Sequence, residues 1–430
     1  MKKLFVLLSL VLFAALGLGI VGAQEPVTLV FWSMWNETEG QARVLQTAID
    51  NFEAANPNIN IEAVWNGRQN QTLVRTALSS GSQVIDIVDQ DADQIAGGLM
   101  REGFALPLND YLQQPAFDHE EPLADVFLPS TLEMFALDGN IYQLPYIYNT
   151  VQFWYDKRVF EEIGVTAPQT WDDLLNVCTA LLDAGYAPIA AEGNEPGYAA
   201  FYLTEMLARI KGPGWLRQAA ADPTGEMWRD PAVLQAAQMT RTLWDNGCVP
   251  PETVGYVWPQ GQNTLAFGVA GMELVGSWLP VELMNATDPD FQWGGFSFPS
   301  IEGGVGTTND VYALLLAFMI NKDTARRDEA FAFLRYGMSD EIQQAFTAES
   351  LVGVTNKHIA WNPIVADAAA AAQAATSTYG DVDNVASLYS EYLNTVLYPN
   401  YVSLWQGALT PEEYVDLMAT QTAEYWAAHS

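Results

Sequence analysis

The chain has 430 residues, with 52 Asp and Glu against 18 Lys and Arg, a formal net charge of −34. So acidic a surface repels phosphate backbones and anionic lipid, which argues against nucleic-acid and membrane-surface partners and makes an acidic ligand a poor fit. Half of the residues are hydrophobic and 12% are aromatic; disorder is excluded, and a length of roughly 400 residues after the leader predicts two lobes rather than one core.

Residues 1–23 read as a secretory signal peptide: Lys2 and Lys3, an apolar run from Leu4 to Ile20, then Val21 and Ala23 before Gln24. Cleavage is expected near Ala23, and with no cysteine near that site a lipid anchor is not expected. Val27 to Trp32 is the first predicted strand. A helix follows whose stripe is Val44, Leu45, Ala48, Ile49 and Phe52, and Ile59 to Trp65 is the next strand. A helix near Gln71 to Ser80 and a strand from Ile85 to Asp89 repeat the unit. Asp138-Gly139-Asn140 predicts a β-turn ahead of an aromatic strand pair. Thr170 with Asp173 makes a capping box for a helix with Leu174, Leu175, Cys178, Leu181 and Leu182 on its apolar side. Asp230-Pro231 and Thr410-Pro411 open two further helices, and Val311 to Ile320 is a long apolar strand.

Chemistry-bearing motifs are sparse. Asp89-Gln90-Asp91-Ala92-Asp93 begins like a calcium loop, but Gln94 and Met100 stand where that loop needs Gly and Glu. His119, His358 and His429 are scattered, none at ligand spacing, so no metal and no cofactor are expected. The chain lacks a G-x-S-x-G elbow, a phosphate-binding loop and an H-E-x-x-H pair. A pair of carboxylates is the one hydrolytic device that the composition permits, which keeps a secreted glycoside hydrolase as the alternative. Cys178 and Cys248 form either one disulfide or two buried thiols in an exported chain, and the disulfide is the expectation. The 14 Trp and 18 Tyr supply flat faces that suit the apolar faces of sugar rings; Trp32, Trp35, Tyr146, Tyr148, Tyr198 and Trp278 stand after strands or in crossovers.

The order Asp138-Gly139, Tyr142, Pro145, Tyr155-Asp156-Lys157 and Thr170-Trp171-Asp172-Asp173-Leu174 closely resembles the central signature of extracellular solute-binding proteins, family 1, the sugar-capturing subunits of ABC importers. FEAANPNINIEAVW and FGVAGMELVGSW resemble two further elements of that family. The resemblance implies an α/β, two-lobed periplasmic-binding-protein fold (type II) with discontinuous lobes joined by hinge strands. The first lobe would be residues 24–147 with 313–350, and the second 148–312 with 351–430. It implies a monomeric carrier, periplasmic or extracellular, that makes no bond and delivers a mono- or oligosaccharide to a membrane permease. A polyamine is the non-sugar alternative within the same fold. The ligand-binding residues it implies are Trp35, Asn36 and Glu37 after the first strand, then Gln90 and Asp91. Tyr148 and Asn149 in the first crossover follow, with Glu195, Tyr198, Trp278 and Asn309.

Overall fold

The structure, a computed structural model, describes residues 26–81 and 84–429; the leader and its cleavage site lie outside them. The first strand, β1 (Val27–Ser33), pairs in parallel with β2 (Ile59–Trp65) and with β3 (Ile87–Asp91). The helix between the first two, α1 (Gly40–Ala55), buries the Val44, Leu45, Ala48, Ile49 and Phe52 stripe, as its spacing requires. The turn at Asp138-Gly139 forms with positive φ at both residues and mutual backbone bonds between Leu137 and Asn140.

Beyond that turn the aromatic segment is a single strand, β4 (Leu144–Asp156), and not the expected pair. All 13 residues are buried on both faces, polar Asn149, Thr150 and Gln152 included, so no alternation marks where the strand changes sheets. Its first half pairs antiparallel with β8 (Asp310–Ile320), Leu144 facing Phe318 and Thr150 facing Ala313. Its second half leaves β8 and pairs with β6 (Ala270–Gly276) and β7 (Trp293–Phe296). The short strand β5 (Ala187–Ala190) extends the second sheet beside β6, and β9 (Ser377–Tyr379) pairs with the first residues of β8. β4 therefore runs through both sheets, while β8 stays in the first and carries β9 at its start.

Cores follow the sheets. One core packs α1 with α5 (Arg327–Gly337) and α6 (Asp340–Glu349) on one face of the first sheet; another, with Val74, Ile95, Leu99 and Met319, fills the opposite face. The third and largest gathers the second sheet with α2 (Trp171–Asp183), α3 (Pro196–Lys211), α4 (Pro231–Asp245), α7 (Tyr398–Trp405) and α8 (Pro411–Ala428). Val352, Val354 and Ile359 pack with α1, so residues 351–359 sit with the first core rather than with the second lobe, where the sequence reading grouped them. Both capping boxes form: Thr170 with Asp173, and Thr410 with Glu413. On α2 the buried stripe is Leu174, Val177, Cys178 and Leu181, while Leu182 is 44% exposed. Cys178 is bonded to Cys248, their Cα atoms 5.3 Å apart, tying α2 to the loop after α4.

Candidate ligand-binding cleft

The ends of β1 and β3 build one wall. Asp89 is fully buried and accepts from Met34 N (2.7 Å), Ser33 Oγ (3.2 Å) and Tyr146 Oη (3.1 Å). Burial nevertheless pushes its carboxyl up to about 7, the donors only partly offsetting the loss of water. Trp35 Nε1 donates to Tyr146 Oη at 2.8 Å, so the turn after β1 is held by indole, phenol and carboxyl in series. The Arg68 guanidinium lies over the Trp35 ring, 4.8 Å from its centroid, and pairs with Glu39 at 2.6 Å. Gln90 is buried, its amide committed to Asn70, Asp91 and Gln94.

The facing wall comes from the second sheet. Trp278 follows β6 and its ring folds back over Gly276, where any Cβ would collide with it. Burial, and after it Glu282, Glu273 and Glu192, raise the Tyr198 phenol, while the Trp278 indole opposes the shift. Beneath Tyr198 lie Glu192 and Glu273, both buried. Glu192 accepts from Gln262 N at 2.8 Å. Among the described residues, neither Glu273 oxygen nor Glu192 Oε2 has a hydrogen-bond partner, and burial raises both carboxyls, Glu192 adding to the shift of Glu273. A cavity of about 10 Å³ beside them, lined also by Tyr202 and Trp405, has room for one water. Glu282, held by Trp258 Nε1 at 3.3 Å, is raised by burial while Arg68 opposes the shift, so the cation of the first wall reaches the second.

A third cluster joins the walls. Asp381, after β9, accepts from Tyr312 Oη at 2.5 Å. Burial raises Asp381, Asp91 and Asp93, and Asp381 adds to the shift of the other two. Carboxyls from the first sheet and from the C-terminal segment thus meet at one place.

Of the residues singled out in the sequence, Trp35 and Asp91 stand on the first wall and Tyr198 and Trp278 on the second. Glu195 is the half-buried residue preceding α3, its charge felt at Glu192. Asn149 is buried at the crossover and accepts from Ser277 Oγ at 3.2 Å. Tyr148 is 1% exposed and packed against Trp361, its phenol pushed up to about 12 by burial. Asn36 and Glu37 are exposed, Asn36 N donating to Glu39 at 2.5 Å, and Asn309 is exposed in a loop bonded to Thr376. Among the platform candidates, Tyr146 serves as the donor to Asp89, and Trp32 is packed in the core behind the wall. Sequence reasoning missed Arg68, Glu192, Glu273, Glu282 and Asp381. Only their positions, just after a strand or inside one otherwise apolar, distinguish them from other charges.

The family described as bacterial extracellular solute-binding protein matches residues 36–344. The chain belongs to that family. Among its curated relatives is the multiple sugar-binding protein of Streptococcus mutans, 24% identical over 335 residues, covering 75% of this chain and 74% of that protein. The diacetylchitobiose binding protein of Streptomyces coelicolor is 24% identical over 224 residues, 50% of this chain and 46% of its own length. The two-lobed fold recurs in the apo form of RafE from Streptococcus pneumoniae, with a TM-score of 0.74 at 19% identity over 94% of this chain and 99% of that one. It recurs also in a sugar transporter from Bacillus licheniformis in complex with stachyose, at 0.68 and 17% over 93% and 100%. No helix among the described residues is long and apolar enough to cross a membrane.

Proposed function

We propose that this solute-binding protein captures a mono- or oligosaccharide between its lobes and presents it to the permease of an ABC importer. The observation that carries the reading is the mixed wall: the Tyr198 and Trp278 rings together with buried carboxyls from the first sheet and the C-terminal segment. Sugar rings lay apolar C–H faces on aromatic planes, and their hydroxyls donate to carboxylates in charge-assisted bonds. The relatives named for multiple sugars and diacetylchitobiose, and the neighbour holding stachyose, support the same class.

The lobes in this reading meet at β4 and β8, and the C-terminal segment from residue 360 onward completes the second. Ligand binding stabilises closure about those strands. The mature chain, processed near Ala23, acts outside the cytoplasm as a single copy. It is a carrier and not an enzyme. A hydrolase needs two carboxyls flanking the scissile bond, about 5 Å or more apart; Glu192 and Glu273 are instead almost wholly buried, out of reach of such a bond.

Calorimetric titration against raffinose, stachyose, chitin oligosaccharides and spermidine tests the proposal. A saccharide bound one to one, recovered with its chain length unchanged, is the expected result. Binding of spermidine alone, or release of new reducing ends, overturns it.

A further inference from the structure

Away from the cleft, two of the chain's three histidines meet, although sequence spacing gave no sign of it. His119 and His358 stack with ring centroids 4.2 Å apart and planes 26° from parallel. Glu121 joins them: its Oε1 is 2.5 Å from His358 Nε2, and one ligand atom from each of His119, Glu121 and His358 lies within 4.8 Å of the other two. Asp340, at the first turn of α6, places both carboxylate oxygens 3.1 Å from His119 Nε2. Lys357 Nζ donates to the second Glu121 oxygen at 3.0 Å.

Each imidazole offers a ring nitrogen and the carboxylate an oxygen as ligand atoms. A neutral imidazole, a second imidazole and an ionised carboxylate form the donor set that zinc-class divalent metals take. Asp340 on His119 supplies the carboxylate–imidazole pairing that orients a metal-binding histidine. Bonds of about 2.0–2.2 Å put tetrahedral ligand atoms roughly 3.3–3.5 Å apart, a separation that these side chains reach by rotation. All three are about one-third exposed, so no backbone has to move. We propose that His119, Glu121 and His358 bind a divalent transition metal of the zinc class. The ligands come from two chain segments and the orienting Asp340 from a third, so the metal staples the loop before Pro122 to the segment after Asn356. An exposed position that joins separate chain segments assigns the metal a structural role in the first lobe.

The test uses tag-free, chelator-washed mature protein titrated with zinc chloride at pH 8. One zinc per chain is expected to bind, with a rise in melting temperature. His119→Gln and His358→Gln are each expected to weaken binding at least about tenfold while melting like the unsubstituted protein when zinc is absent. His429→Gln is the control, because His429 lies apart beside Glu391, and it is expected to bind as the unsubstituted chain does. Glu121→Gln repeats the test should either histidine variant fail to fold. Absence of binding overturns the proposal, as does binding that the two histidine substitutions leave unchanged, or that His429→Gln weakens equally.

Discussion

The two walls of the cleft handle buried charge in opposite ways. On the first, Asp89 collects three donors and fixes the turn that carries Trp35, with Arg68 stacked outside it. On the second, both Glu273 oxygens and Glu192 Oε2 are buried without a hydrogen-bond partner, Glu192 Oε1 alone accepting from Gln262 N. A satisfied network rigidifies, whereas an unsatisfied one carries a free-energy cost that a donor entering the site relieves. The first wall is therefore preorganised, whereas the second keeps buried acceptors without partners.

The largest expected effect concerns what holds the second wall in place. Replacing Cys178 and Cys248 by Ala removes a closed loop of 70 residues and is expected to cost about 4 kcal/mol, read as a fall in the denaturation midpoint. Two free thiols in the denatured, unreduced protein would refute the pairing. The second effect belongs to the first wall. Asp89 titrates at about 7 in the fold and near 3.9 when unfolded, so between those values the folded state holds a proton that the unfolded chain has lost. Its contribution is complete below about pH 4 and is lost as pH rises toward 7, on the order of 4 kcal/mol. Asp89→Asn should flatten that part of the stability profile, measured by urea unfolding at several pH values.

Two smaller substitutions set the walls directly against each other. Glu273→Gln replaces a buried carboxyl without partners by a neutral group and should raise stability at pH 8 by about 1–3 kcal/mol. Tyr146→Phe removes a donor from a satisfied buried carboxyl and should lower it by about 1 kcal/mol. Shifts of the same sign in both melting curves would erase the contrast.

Much of this was legible in the sequence. The capping boxes at Thr170 and Thr410 fix helix starts through local bonds that three residues suffice to encode. The stripe of α1 declares its buried face in the same way. On α2 the expected stripe was off by part of a turn, because Leu182 is apolar yet faces water while Val177 is buried. The crossing of β4 was not legible as one strand, since a run buried on both faces has no period to read. Trp278 and Tyr198 could be placed by their position beside β6 and at the start of α3. Tyr148 looked equivalent, but it is buried against Trp361. Arg68, Glu273 and Asp381 gain their meaning from partners far along the chain, as do His119 and His358, and local pattern carries no trace of such pairing.

A ligand that bridges the lobes must feel both walls. Arg68→Ala and Trp278→Ala are therefore to be titrated with the saccharide that the unsubstituted protein binds, with melting temperatures recorded on the same samples. Trp278→Ala should remove a ring-face contact worth about 1–3 kcal/mol, weakening binding roughly 5- to 150-fold, and Arg68→Ala should weaken the same saccharide at least about fivefold. Full affinity in either variant, with the fold intact, would place the ligand outside the space between the lobes and contradict the account.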